Sequence, residues 1–315
     1  MLEKPLVDRL IKQATRAPSS HNTQPWFFKI QDDLIQLHAD RTRALPVNDP
    51  DDRELVISCG CALFNLRCAA ATEGLGTTVI PFPDAHDNDL LADVVYSGEA
   101  DNELAKLAGA ITKRRTYRKR FAEKSVSDDL LNALMMAAGV EGAWLEPIEG
   151  ADARSATAGL VSEGDAVQWA NPSWRRELAQ WMHPRRSGDG LSLPWLAVPI
   201  AQLVVRSFDM GGGVGAKDSE LAENSPVLAV LGTASDGVVD RLAAGQALER
   251  VLLTAAEAGL QASYLNQPIQ VELLRPKLGE HCKSGGYPQV LLRLGYQSEE
   301  LPETPRRPVA DVLQQ

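Results

Sequence analysis

Two stretches, GCALFNLRCAAATEGL at residues 60–75 and GQALERVLLTAAEAGL at residues 245–260, decide the architecture of this chain. They share seven identities in sixteen aligned positions, which indicates an internal repeat. Each stretch is largely apolar and stops at Gly-Leu, as a helix does when a glycine follows its last turn. The sequence therefore predicts two core helices, over 53–73 and 239–258.

The repeat continues on both sides of these helices. A helix is predicted upstream of each copy and two strands downstream, at 5–16, 77–80 and 92–96 in the first half and at 127–138, 262–265 and 289–294 in the second. A hairpin of two further strands is predicted at 26–30 and 34–38. The pattern indicates an α+β protein built from two related halves.

Residues 160–225 have no counterpart in the first half. They contain Trp169, Trp174, Trp181, an apolar run at 191–205 and a glycine cluster at 211–215. This segment is interpreted as an insertion with a flexible part, and such insertions often cover a binding site as a lid. The glycine cluster lacks the glycine that a P-loop has immediately before its lysine, so it does not predict a nucleotide site.

Composition and charge narrow the class of function. A chain of 315 residues with 44% hydrophobic content can bury a substantial core in one or two domains. A formal net charge of −10 argues against binding to nucleic acid. The apolar run at 191–205 is broken by prolines and is shorter than the roughly 20 residues of a membrane span, and no secretory signal is evident. We expect a cytoplasmic protein that binds neither nucleic acid nor a membrane.

Cysteine and histidine spacing argues against a disulfide framework and against a metal site. The four cysteines stand at 59, 61, 68 and 282, and the five histidines form no HExxH or paired pattern. We expect buried, reduced thiols and no metal. A GxSxG elbow and a GxGxxG after a strand are also absent from the sequence.

Each half has one motif that the other lacks. The first half contains APSSHNTQPW at 17–26, between a predicted helix and a predicted strand, where loop groups are free to bind a ligand. The second contains ITKRRTYRKRF at 111–121, with six basic residues in an otherwise acidic chain. Such a run predicts a site for an anionic group. The structural alternatives are a turn that closes a helix and a solvated basic face.

These two motifs, together with TPRRPVADVL at 304–313, resemble the nitroreductase family of FMN enzymes, and the layout is similar to the Acg branch. The resemblance implies a nitroreductase-like fold with antiparallel sheets around central helices. Family members form homodimers in which one subunit gives the Arg-rich motif and the other the APSS loop. Here residues 1–108 and 109–315 would form an intramolecular pseudo-dimer with one composite FMN site and a lid at 160–225. The chain would then be a monomer or a homodimer.

The resemblance implies which basic residues hold the flavin phosphate. Arg114 and Arg118 correspond to the phosphate and ribityl contacts, and Thr116 keeps the hydroxyl of the serine usual in the family. Arg306 and Arg307 resemble the family's last basic contact, and which of them reaches the phosphate stays open. A solvated charge pair is the alternative for these two residues.

The ring of the flavin needs donors and acceptors at its polar edge. Ser19, Ser20 and Asn22 are predicted to supply them, from a loop that two prolines constrain. Gln24 either does the same or braces the loop internally. Gln267 lies in the segment 266–269, where the family presents backbone to the reactive flavin nitrogen.

The expected function is reduction of a nitro, quinone or similar acceptor by NADPH or NADH, with FMN as the cofactor. Because the flavin carries the chemistry, we assign no catalytic side chain. The alternative is an FMN storage or sequestration protein without turnover, in which a closed lid excludes the nicotinamide. A third hypothesis is an interaction protein that has lost its cofactor.

Overall fold

The structure of the protein, a computed structural model, describes residues 2–31, 33–96, 98–183, 188–192 and 197–314. Within these residues the helices are α1 (Lys4–Ala14), α2 (Arg53–Thr72), α3 (Asn102–Ala108), α4 (Asp128–Val140), α5 (Ala151–Ala170), α6 (Pro172–Gln180), α7 (Val198–Ser207), α8 (Gly211–Glu223), α9 (Val238–Glu257), α10 (Gln267–Gln270), α11 (Arg275–Gly279) and α12 (Val309–Val312). The strands are β1 (Trp26–Gln31), β2 (Leu34–Ala39), β3 (Thr77–Pro81), β4 (Leu90–Tyr96), β5 (Trp144–Pro147), β6 (Met182–His183), β7 (Leu191–Ser192), β8 (Val227–Thr233), β9 (Leu260–Tyr264), β10 (Tyr287–Tyr296) and β11 (Leu313–Gln314).

The two predicted core helices are present as α2 and α9, and they pack against each other in the centre of the molecule. Helix α2 is buried along almost its whole length, as expected of a helix that is apolar on every side. Among the described helices it alone has the length and composition of a membrane span, but 89% of that apolar window is buried inside the fold. Its apolar surface is therefore used in packing within the chain.

Two glycines set how closely these helices approach. A Cβ atom on Gly60 would lie 2.8 Å from Gly245 Cα and closer still to the carbonyl oxygen of Leu242. A Cβ on Gly245 would lie 2.7 Å from Gly60 Cα and would clash with the carbonyl oxygen of Ile57. The glycines that align in the sequence repeat are thus the point at which α2 and α9 cross, with backbone against backbone.

The two main sheets have the same strand order. One runs β11-β1-β2-β4-β3 and the other runs β5-β8-β10-β9, so β1, β2, β4 and β3 correspond to β5, β8, β10 and β9. All pairings among these eight strands are antiparallel, as predicted. The short C-terminal strand β11, which was not predicted, joins β1 in parallel. The common order supports the predicted duplication, whose boundary between residues 108 and 109 stays a prediction.

The insertion lies between β5 and β8, the two strands that are equivalent to the first hairpin. It contains α5, α6, α7 and α8, and its residues 184–187 and 193–196, which include part of the predicted apolar run, lie outside the described residues. The predicted start at 160 falls inside α5. The glycine cluster forms the first turns of α8. A Cβ on Gly215 would lie 2.9 Å from Ser162 Oγ of α5, so small residues let these two helices pack closely.

We expect Gly60→Ala and Gly245→Ala each to lower the free energy of unfolding by about 1–3 kcal/mol, because the added methyl group meets backbone atoms that side-chain rotation cannot move. Urea unfolding followed by circular dichroism measures the change. Gly139→Ala is the matched control, since a Cβ at this position of α4 meets nothing within 4 Å and alanine favours a helix. Wild-type stability of both crossing variants would contradict a backbone contact between α2 and α9.

Candidate functional site

A cavity of about 580 Å³ brings the three predicted motifs together. Eight of the ten predicted site residues line it: Ser19, Ser20, Asn22, Arg114, Thr116, Arg118, Gln267 and Arg306. The first half supplies the APSS loop and part of α2, and the second half supplies the Arg-rich segment and α10. The insertion adds residues of α5, α6 and α8. Residues of one chain are therefore enough to form this cavity.

The APSS loop holds an unusual backbone conformation. His21, Asn22 and Gln24 have φ angles of 51°, 55° and 52°, in the left-handed region that non-glycine residues seldom adopt. Ser19 Oγ fixes this conformation by accepting a hydrogen bond from the backbone N–H of Gln24 at 3.0 Å. Strain of this kind persists where the surroundings enforce it and is concentrated at functional sites.

Gln24 braces the loop and does not line the cavity. Its side chain is fully buried, and its Nε2 donates to the carbonyl oxygen of Gly188 at 2.8 Å. Its Oε1 accepts from the backbone N–H of Arg307 at 2.9 Å. The Arg307 side chain in turn donates to the carbonyl oxygens of Gln24 and Trp26 and lies 3.6 Å from an Asp40 carboxylate oxygen. Of the two predicted alternatives for Gln24, the structure therefore has the internal brace, and Arg307 supports it from outside the cavity.

Arg114 and Arg306 converge on one backbone carbonyl, although they are far apart in sequence. Their Nη2 groups donate to the carbonyl oxygen of Arg16 at 3.3 and 3.1 Å, immediately before the APSS loop. Each Nε is buried without a hydrogen-bond partner among the described residues. Burial, and then the charge of Arg114, lowers the pKa of Arg306 to about 9. Two cationic groups thus line the cavity next to the APSS loop.

A buried carboxylate balances part of this charge. Glu249 of α9 is fully buried, and its Oε1 lies 3.8 Å from Arg114 Nε. Burial raises the pKa of Glu249 to about 7, and the charge of Arg114 opposes that shift. At neutral pH the carboxyl is therefore only partly ionised, which leaves this end of the cavity positive.

The basic run divides between the cavity and the surface. Arg118 lines the cavity and has no hydrogen bond or ion pair with a described residue. Its side chain keeps accessible surface, but the surrounding protein desolvates the guanidinium enough to lower its pKa. Thr116 is held by a bridge to Ala262 of β9. Three other members of the run form surface ion pairs instead: Lys113, Lys119 and Arg120. The solvated-face alternative is thus correct for half of the run. Arg115, which was not predicted as a site residue, also lines the cavity.

Sequence reasoning missed Glu54, which connects the walls of the cavity. Its carboxylate accepts from Ser20 Oγ at 2.5 Å and from Gln270 Nε2 at 2.8 Å, and Asn266 Nδ2 lies 3.3 Å away. Glu54 is 4% exposed at the start of α2, whereas its partners come from the APSS loop and from the segment around α10. A charged residue inside an otherwise apolar helix was the sequence signal that could have identified it.

Two carboxylates from the insertion share one amide. Gln267 Nε2 donates to Asp218 Oδ2 at 2.9 Å and lies 3.3 Å from both oxygens of Asp165. Burial, and then the charge of Asp218, raises the pKa of Asp165 to about 7, and burial also raises the pKa of Asp218. These two residues were not predicted, because the residues that bring them together are distant in sequence.

We expect the free energy of unfolding to fall less between pH 5 and pH 8 in Asp165→Asn than in the wild type. The pKa of Asp165 is raised from 3.8 to about 7 in the folded protein, so the folded state holds a proton that the unfolded chain has released. Stability therefore falls as pH rises through this window, by on the order of 1–4 kcal/mol for this group. Urea unfolding at both pH values measures it. Glu163→Gln, a surface change on the same helix, is the control, and an unchanged pH dependence in Asp165→Asn would contradict a protonated Asp165.

Comparison with known proteins agrees with the predicted resemblance. No family model matches the chain. The chain is 32% identical over 317 residues to a Mycobacterium tuberculosis H37Rv protein named "Putative NAD(P)H nitroreductase Rv3131", with 98% of this chain and 91% of that protein covered. It is 29% identical over 321 residues to "Putative NAD(P)H nitroreductase acg" of the same organism, with 99% and 96% covered.

A solved structure of nitroreductase A from Vibrio parahaemolyticus matches 66% of this chain and 74% of that chain at 12% identity. Its TM-score of 0.41 is too low to support a conclusion. The family assignment depends instead on the full-length sequence relatives, which agree with the APSS and Arg-rich motifs. The chain belongs to the nitroreductase family of oxidoreductases, on the branch that includes Acg.

Proposed function

We propose that this protein binds FMN in the composite cavity and uses it to pass electrons from NADPH or NADH to a nitro, quinone or similar acceptor. The observation that carries the proposal is the convergence of Arg114, Arg118 and Arg306 on the cavity that the APSS loop borders. The family name of the relatives supports the nicotinamide nucleotide as the electron source. The four cysteines are free thiols, which suits the reducing cytoplasm.

The positive end of the cavity fits a flavin phosphate. A phosphate group carries close to two negative charges at neutral pH, and guanidinium groups bind its oxygens in a bidentate manner. Arg114 and Arg306 both line the cavity, and their guanidinium groups donate to neutral backbone carbonyl oxygens, so a phosphate would give them a charged acceptor. We assign the phosphate to these two residues.

We assign Arg118 to the part of the cavity that would hold the flavin ring. The positive charge of Arg118 disfavours protonation of His21 and favours ionisation of Tyr264, so Arg118 is close to the APSS loop and to β9. Burial lowers the pKa of His21 to about 4, so the imidazole is neutral at pH 7 and can exchange hydrogen bonds without adding charge. Ser19, Asn22 and Thr116 add polar groups to the same wall. This set suits the polar edge of an isoalloxazine ring, and Arg118 would stabilise negative charge that develops there.

The protein's own contribution to catalysis is binding, orientation and exclusion of water. The flavin, when bound, supplies the two-electron chemistry. Glu54 holds the APSS loop and the α10 segment at fixed positions through its hydrogen bonds to Ser20 and Gln270. Trp169 and Trp174 close the cavity from the insertion, with their rings 5.4 Å apart. A site closed by aromatic side chains favours a planar acceptor over water.

We expect Arg118→Ala to weaken FMN binding by tenfold or more, because a hydrogen bond to a charged group is worth about 1.5–3 kcal/mol. Quenching of flavin fluorescence during titration of flavin-free protein measures the dissociation constant. Lys119→Ala is the matched control: it removes a neighbouring charge whose partner is the surface residue Glu299. Equal affinity of Arg118→Ala and the wild type would contradict the assigned site.

We expect Arg114→Ala and Arg306→Ala to weaken binding of FMN but to leave binding of riboflavin within about twofold, because riboflavin lacks the phosphate. Titrating the wild type and each variant with both flavins separates the contribution of the phosphate to the binding free energy from that of the ring. Equal losses for FMN and riboflavin would place the phosphate elsewhere.

We expect purified protein loaded with FMN to lose its visible flavin absorbance after anaerobic addition of NADPH or NADH, and to recover it when 1,4-benzoquinone is added. Dithionite provides the control that the bound flavin is reducible. Protein that retains FMN, responds to dithionite and ignores both nicotinamides would be a storage protein, whereas protein that never takes up FMN would exclude both functions.

A further inference from the structure

The insertion places two carboxyl groups in the cavity wall. Asp165 of α5 and Asp218 of α8 both line the cavity, and both lie within hydrogen-bond distance of the same amide nitrogen, Gln267 Nε2. Asp165 is 3% exposed. The close packing of α8 on α5 at Gly215 keeps the two carboxyl groups together, because a Cβ there would lie 3.4 Å from Asp165 Cβ.

The charged groups around this pair do not neutralise it fully. Lys217 and Arg293 lower the pKa of Asp218, but burial outweighs them. The Arg293 guanidinium is committed elsewhere, since it donates to the carbonyl oxygens of Lys119 and Tyr117. Among the described residues Gln267 is the one hydrogen-bond donor to either carboxyl group. Two carboxylates that are close together and poorly solvated keep one proton between them, because both cannot ionise at low cost.

We propose that Asp165 and Asp218 form the proton-donating pair for reduction of the acceptor, one of them transferring its proton to an acceptor oxygen as the acceptor takes up two electrons. This inference rests on the proposed function and adds a role for the insertion beyond covering the cavity. Aspartate pairs serve as proton carriers elsewhere for the same physical reason: burial keeps one carboxyl group protonated near neutral pH.

The proposed step balances. A quinone becomes a hydroquinone when it gains the equivalent of one hydride and one proton, and the nicotinamide nucleotide supplies the hydride through the bound flavin. The pair supplies the proton: a carboxyl O–H bond breaks and an O–H bond forms on the acceptor. The carboxylate left behind regains its proton from water before the next turnover. For a nitro group the same hydride and proton yield a nitroso group and water.

The test compares two acceptors that differ in their need for a proton. 1,4-Benzoquinone needs a proton to become the hydroquinone, whereas ferricyanide accepts a single electron and needs none. Stopped-flow mixing of each acceptor with the FMN-loaded protein, after anaerobic reduction with NADPH, measures the rate of each reaction. Asp165→Asn and Asp218→Asn are compared with Glu163→Gln and Glu220→Gln, which change surface carboxylates of the same two helices outside the cavity.

We expect each Asn variant to slow benzoquinone reduction by about tenfold, and the double variant by about 100-fold, as loss of a general acid does. Ferricyanide reduction and the preceding reduction by NADPH should stay within about twofold of the wild type. The wild-type rate with benzoquinone should fall as pH rises through about 7, whereas the variants should show no such fall. Equal slowing with both acceptors would indicate a structural role, and unchanged rates with both would also overturn the proposal.

A second readout does not depend on turnover. Infrared difference spectra of the flavin-free protein between pH 5 and pH 9 should show a protonated carboxyl band that disappears near neutral pH. Burial also raises the pKa of Glu249 to about 7, so part of the band should remain in Asp165→Asn, and the part that is lost there belongs to the pair. An equally strong band in Asp165→Asn and the wild type would overturn the pair as a proton carrier. If the band is present but the loaded protein is not reduced by NADPH or NADH, the proposed function fails instead, and the two failures are thereby distinguished.

Discussion

The contact between Gly60 and Gly245 is the constraint on which the rest of the structure depends. With no side chain at either position, α2 and α9 approach until backbone lies against backbone, and the apolar faces of both helices can bury each other. Each helix packs against its own sheet, so the crossing also sets the position of one sheet relative to the other. The cavity lies beside this crossing: α2 contributes Ile57, Ser58 and Cys61 to its wall, and α9 contributes Leu248.

Because the contact between α2 and α9 holds the two halves together, the cavity combines one motif from each half. Arg114 and Arg306 meet at the carbonyl oxygen of Arg16, which precedes the APSS loop. Glu54 then ties that loop to the segment around α10. Hydrogen bonds to buried charged groups are stronger than those between neutral groups, and losing one partner leaves the other uncompensated. This network therefore fixes the positions of the cavity walls relative to one another, as well as the conformations of the side chains in it.

Positively charged side chains and carboxyl groups occupy different parts of the cavity wall. Arg114 and Arg306 line one part of the wall, where we propose that the phosphate binds. Glu54, Asp165 and Asp218 occupy other parts of the wall, where a phosphate would be repelled. Two of these three carboxylates come from the insertion, which has no equivalent in the first half. The insertion thus adds carboxyl groups to a cavity whose framework belongs to the duplicated core, and its aromatic residues Trp169 and Trp174 line the same space.

The sequence by itself determined four helices (α1, α2, α4 and α9), six of the eight strands in the two related sheets and the two motifs. Each of these depends on local patterns: apolar periodicity, helix-ending glycines, prolines and a dense basic run. It also determined the repeat, and the aligned glycines proved to be the crossing point. Only the tertiary structure decided which members of a motif line the cavity. Arg307 and Gln24 turn away to brace the loop, and half of the basic run pairs at the surface, although their neighbours line the cavity. Asp165 and Asp218 were likewise not identified, since their partners are remote in sequence and a single carboxylate has no local pattern that marks it as buried. For Glu54 the apolar surroundings in α2 were a signal, but its partners could not be predicted.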